Sequence, residues 1–121
     1  MSRKAKVQVH VGGFEDMGQR FVDAWKRAET GSLRRPERHI TFRDLATLLS
    51  ALTPKRWELL RDLRGHGPAS VRALALRLHR DYKRVHTDIA NLERIGLVDR
   101  DTDGRARVAW DAVDASLSLA A

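Results

Sequence analysis

Apolar residues alternate with polar ones at Val7, Val9 and Val11, with Gln8 and His10 between them. A period of two predicts a strand with one buried face, ended by Gly12-Gly13. From Phe14 the period changes. Phe14, Met17, Phe21, Trp25 and Ala28 recur at spacings of three and four, which predicts a helix with one apolar stripe, weakened at Gly18. Glu15 and Asp16 suit the positive end of its dipole, and Gly31 is a stop signal. Ser32 to Arg38 reads as a basic loop. Ile40 and Phe42 alternate again as a second strand. Thr41 and Asp44 have capping-box spacing ahead of Leu45, Leu48, Leu49 and Leu52, another helical stripe. Residues 1–52 therefore predict strand, helix, strand, helix.

Thr53-Pro54 is a cap followed by a proline at the first helical position. Trp57, Leu59, Leu60 and Leu63 carry that helix, and Gly65-His66-Gly67-Pro68 stops it. Ser70 is placed to cap a short helix with Val71, Leu74, Ala75 and Leu78 on its apolar side. Asp81 opens the next, running to Ile95 and ended by Gly96. Asp103-Gly104 then marks a turn between two extended pieces. A three-residue loop sets Val98 opposite Val108, and a four-residue loop sets Leu97 there; both give an apolar underside. Asp111 to Leu119 fits either a short helix or a strand. Trp25, Trp57 and Trp110 fall on apolar stripes or strands, where core packing is expected.

The fold class expected is α+β, mainly helical, divided into a strand-helix-strand-helix extension over 1–52 and a helical domain with a β-hairpin over 53–121. At 121 residues with 42% hydrophobic and 32% charged positions, the chain has enough apolar material for a core. A net charge of +7 favours an anionic partner. The absence of cysteine excludes disulfides and thiolate chemistry. His79-Arg-Asp81 and His86-Thr-Asp88 lack the spacing of a metal site, so neither metal nor cofactor is expected. No nucleophile elbow and no phosphate loop is present, so the chain is read as a non-enzyme. The apolar runs are too short for a membrane helix and the N-terminus lacks a leader's apolar core; a cytoplasmic protein is expected.

On the helix opened by Asp81, Val85, Ile89 and Leu92 share one side at 100° per residue. Lys83, His86, Thr87, Ala90 and Arg94 fall on the other, with Arg84 and Asn91 at its margin. These side chains suit the edges of bases. Lys83 can donate to guanine, Thr87 can touch the thymine methyl, His86 can donate to an acceptor, and Asn91 can pair with adenine. Tyr82 is a phosphate contact or a packing residue. Between Arg72 and Arg84 five cations face one acid, Asp81. Ser70, Arg72, Arg77 and Arg80 lie on the preceding helix and turn, a segment that crosses the phosphate backbone in helix-turn-helix proteins. Arg100, Arg105 and Arg107 on the hairpin could reach a minor groove or flanking phosphates, although Asp99, Asp101 and Asp103 offset them.

From Trp57 to Trp110 this order of parts resembles the winged helix-turn-helix of MarR- and ArsR-like transcription regulators. Leu92-Glu-Arg-Ile-Gly-Leu-Val-Asp-Arg100 resembles their junction between recognition helix and wing. The resemblance implies that Lys83, Arg84, His86 and Thr87 touch bases. Leu52-Thr-Pro-Lys-Arg-Trp-Glu-Leu-Leu-Arg61, with the Trp25 region, more weakly resembles small antitoxin-like regulators, which implies a toxin partner. The N-terminal strand, helix and strand depart from the helical arm of MarR proteins. The expected function is sequence-specific binding of double-stranded DNA by a homodimer, with half-sites roughly 34 Å apart. Phe14, Met17, Phe21 and Trp25 would supply the dimer or partner surface. The rival readings are a module that binds an acidic protein, and RNA binding, which a deep, narrow A-form major groove disfavours.

Overall fold

The computed structural model describes residues 5–12 and 37–119. The expected helix over 14–28 lies outside them, and with it Phe14, Met17, Phe21 and Trp25. The described part is a small α+β structure. It divides into two compact units: Met1–Leu48 with Ala112–Ala121, and Leu49–Asp111. The boundary expected after residue 52 therefore falls earlier. The last residues also return to the first unit, because they pair with its first strand.

In the first unit β1 (Lys6–Val11) is the central strand of a three-stranded sheet. It pairs in parallel with β2 (Glu37–Phe42) on one side and with β5 (Ala112–Ser116) on the other. The open choice for 111–119 thus resolves as a strand. Val7, Val9 and Phe42 are buried. Gln8 and His10 fall on the alternate face, as the period-two pattern requires. There Gln8 Nε2 donates to Asp114 Oδ2 at 3.3 Å, and the stacked His10 and His39 rings share a hydrogen bond of 2.9 Å.

Helix α1 spans Leu45–Ala51. Its cap differs from the expected box. Thr41 belongs to β2, and Asp44 itself is the cap, accepting from the Thr47 N–H at 2.8 Å and its hydroxyl at 2.7 Å. The Thr47 hydroxyl, then its N–H, hold the Asp44 carboxyl below its ordinary pKa. Within the predicted stripe Leu48 is buried, whereas Leu45 and Leu49 are exposed.

The second unit is built on three capped helices. Thr53 Oγ1 accepts from the Arg56 N–H at 3.2 Å and opens α2 (Pro54–His66). Ser70 Oγ accepts from the Ala73 N–H at 3.1 Å and opens α3 (Val71–Arg77). An Asp81 carboxylate oxygen accepts from the Arg84 N–H at 3.1 Å and opens α4 (Tyr82–Ile95). Gly96 closes α4 at φ 95°, a left-handed conformation that glycine adopts without a Cβ penalty. Leu59, Leu63, Leu74, Val85, Ile89, Leu92 and Leu97 form the fully buried core. Trp57 is 41% exposed, which corrects the expectation that it packs inside.

Strands β3 (Asp99–Arg100) and β4 (Ala106–Arg107) make the hairpin, with Asp99 opposite Arg107. That register is the three-residue-loop option. Asp101 N–H bonds to Arg105 O and Gly104 N–H to Asp101 O, both at 3.0 Å. Ala69, just before α3, pairs with Ala106 through two backbone bonds of 2.9 and 3.0 Å. This ties the hairpin to the α2–α3 connection, and Ala106 is buried beneath it.

Candidate nucleic-acid interface

Helix α4 has two chemically opposed faces. Val85, Ile89 and Leu92 have no solvent exposure, while Lys83, Arg84, His86, Thr87 and Arg94 are exposed. Fourteen residues make a rod of about 21 Å, long enough to lie along a major groove about 12 Å wide. Tyr82 is exposed, with its ring 6.0 Å from that of His86. The Asn91 amide donates to Thr87 O at 3.0 Å. Asn91 is half-buried, so its donor is turned back onto its own helix rather than outward.

The cations of this unit fall into two classes. One class is bound to carboxylates. Asp88, on α4, takes Arg56 Nε at 3.0 Å and Arg80 Nη2 at 2.8 Å. All three side chains are largely buried, at 16, 11 and 18% exposure for Arg56, Arg80 and Asp88. Arg56 also donates to Ala51 O at 2.9 Å, and Arg80 to Lys55 O at 3.3 Å. Arg77 bonds through Nε to Asp62 at 2.9 Å. Of the expected backbone contacts, Arg77 and Arg80 are thus already occupied in holding α2, α3 and α4 together. Ser70 is occupied as an acceptor in its cap but keeps its hydroxyl proton.

The hairpin arginines belong to the same class. Arg100 bonds Glu93 Oε2 at 3.3 Å and Gly104 O at 3.2 Å. Arg105 pairs with Asp101 and Asp103, both at 3.1 Å. Arg107 takes both oxygens of Asp99 at 2.9 Å. Those hydrogen bonds first, and the Asp99 charge second, raise the Arg107 pKa above its ordinary value. The three hairpin aspartates therefore engage Arg105 and Arg107, while Arg100 is held by Glu93 of α4.

The second class has no partner. Among the described residues Lys55, Arg61, Arg72, Lys83, Arg84 and Arg94 make no ion pair and no side-chain hydrogen bond. Lys83 and Arg84 were singled out for base reading and Arg72 for the backbone. Lys55 carries no comparable signal in the sequence, where it stands only as a cation in the first turn of a helix distant along the chain. It lines an open cleft of about 670 Å³ together with Lys83, Arg84 and Thr87 of α4. Among the described residues no group of three or more His, Asp or Glu is placed to hold a metal, and no helix is long and apolar enough to cross a membrane.

The hairpin turn carries its own pH dependence. Asp101 accepts from the Arg105 N–H and the Asp103 N–H, both at 2.9 Å. The Arg105 N–H lowers the carboxyl pKa most. Loss of solvent opposes it, and the Asp103 N–H and Arg105 charge add to the lowering. A folded pKa below the ordinary 3.8 contributes order above that value, and the contribution is lost as pH falls through the folded pKa. The Asp103 and Arg105 amide resonances should therefore titrate together with a midpoint below 3.8, read by NMR. A midpoint at or above that value would contradict the two hydrogen bonds.

No curated protein and no solved structure matches the chain. Residues 51–115, just over half of the chain and spanning all of α2, α3, α4 and the hairpin, match the HVO_A0114 family model, and the chain belongs to that family.

Proposed function

We propose that the chain is a sequence-specific double-stranded DNA-binding regulator whose Leu49–Asp111 unit is a winged helix-turn-helix. On this reading α4 enters the major groove, α3 is the first helix of the helix-turn-helix, and β3–β4 is the wing. The observation that carries it is the pairing of a fully buried seam with an exposed, unpartnered cationic face on α4. Unpaired Lys83 and Arg84 lose no internal ion pair when they meet an anion. Arg72 on α3 supplies a backbone contact, and Lys83, Arg84, His86 and Thr87 supply the base edges.

The neutralised wing modifies the mode of binding. A hairpin whose arginines are already paired contributes little net charge, so affinity rests on the helices. It also favours a second reading, in which the basic helices meet an acidic protein. Fluorescence anisotropy across a salt series separates the two. Duplex from the chain's own promoter region should bind more tightly than random duplex, with affinity falling as salt rises. Lys83→Ala should relax base preference by about 1–3 kcal/mol, whereas Arg72→Ala should weaken all sequences alike. Equal affinity for random and promoter duplex would overturn sequence-specific regulation, and structured RNA competing as well as duplex would overturn major-groove entry.

A further inference from the structure

We infer that the cleft between the first turns of α2 and α4 seats a phosphate group, and that in a duplex complex this is a backbone phosphodiester flanking the bases that α4 meets. The inference rests on the DNA-binding reading but names residues and chemistry that α4 alone does not supply. Five cationic side chains and two carboxylates line the cleft, leaving an excess of three positive charges. Their arrangement is layered. Arg56, Arg80 and Asp88 are locked to one another and largely buried. Lys55, Lys83 and Arg84 are exposed and unpartnered among the described residues. The remaining acid, Asp81, is held at the α4 cap by the Arg84 N–H.

The donors match a phosphate oxyanion. The Lys55 ammonium reaches the oxyanion from α2 as a point charge, while Lys83 and Arg84, which face the bases, add positive potential from the α4 side. Thr53 uses its oxygen as acceptor in the α2 cap, so its hydroxyl proton stays available on the same cleft wall as Lys55. The cleft is open to solvent rather than enclosed, which suits a phosphate carried on a strand lying over it better than an engulfed small molecule. Thr53 and Lys55 come from the start of α2 while the facing wall is α4, so a phosphate held here would fix the depth and register of α4 against the strand. Such a contact positions the protein without carrying sequence information.

Lys55→Gln in the full chain tests this, because Lys55 is exposed, unpaired and off the α4 face. Duplex binding is measured by anisotropy between 50 and 200 mM salt. Inorganic pyrophosphate is titrated while the amide resonances of Thr53, Lys55, Arg56 and residues 83–87 are followed. The expected result is a salt slope shallower by about 0.9, with preference for the promoter duplex retained and the slope restored in Lys55→Arg. Pyrophosphate should shift those amides in the parent chain and not in Lys55→Gln. Duplex binding with an unchanged slope would overturn the cleft and leave the DNA reading standing. Pyrophosphate shifts that depend on Lys55, in a chain that binds no duplex, would support the cleft as a seat for a free phosphate and overturn the DNA reading instead.

Discussion

Asp88→Ala is expected to lower the stability of the Leu49–Asp111 unit by about 3 kcal/mol, read from its urea midpoint. Asp88 receives Arg56 from α2 at 3.0 Å and Arg80, just ahead of α4, at 2.8 Å. Removing the shared carboxylate leaves two guanidiniums close together in a largely desolvated place. Breaking a buried pair by deleting one partner costs about 3–5 kcal/mol, and the residual exposure of these side chains puts the value at the lower end. The mutant's cause can be checked chemically. Asp88→Asn keeps one acceptor and should lose less. The triple variant Arg56→Met, Arg80→Met, Asp88→Leu removes every charge and should recover much of the loss, short of the bonds from Arg56 to Ala51 O and from Arg80 to Lys55 O. A loss below about 0.5 kcal/mol in Asp88→Ala would show the cluster to be a screened surface network.

The same substitution has a second consequence on the proposed reading. It releases Arg56 and Arg80 from their carboxylate inside the cationic cleft. Attraction for any polyanion should rise while the orientation of α4 against α2 loosens. The ratio of promoter to random duplex affinity should therefore fall even where total binding does not. A stability defect with an unchanged ratio would confine Asp88 to the fold.

What was legible in the sequence was local. Thr53, Ser70 and Asp81 each cap the helix they precede, because an N-cap acts over three residues and leaves a sequence signature. The buried side of α4 followed from its periodicity for the same reason. Interactions between distant residues were not legible. Arg56 finds Asp88 across 32 positions, and Arg77 finds Asp62 across 15. Nothing in the local pattern distinguishes these arginines from Lys83 or Arg84, so in sequence Arg77 and Arg80 look as free as those cations. Asp111 to Leu119 stayed ambiguous because strand β5 is specified by its parallel partner β1 at the other end of the chain. Ala69 carries no strand signal of its own, yet Ala106 pairs with it. At the hairpin, composition weighed three aspartates against three arginines, and only geometry shows each arginine engaged by an acid.

The two faces of α4 lead to opposite orders of effect. Ile89 is fully buried in the middle of the helix. Ile89→Ala removes three carbons from a close-packed core and should cost about 2–5 kcal/mol, depending on how far the surrounding core relaxes into the space. Thr87 is exposed and makes no side-chain hydrogen bond, so Thr87→Ala should change stability by less than about 0.5 kcal/mol. Urea unfolding of both variants measures this order. For duplex binding the order should invert. At a temperature where both variants stay folded, Thr87→Ala removes a methyl and a hydroxyl from the groove-facing side and should alter base preference. Ile89→Ala touches no part of that face and should leave preference intact. Stability and specificity would then be carried by residues two positions apart, 200° around one helix. A change of base preference in Ile89→Ala at full occupancy of the folded state would instead mean that the core sets the shape of the reading face, and α4 would have to be treated as a single mechanical unit.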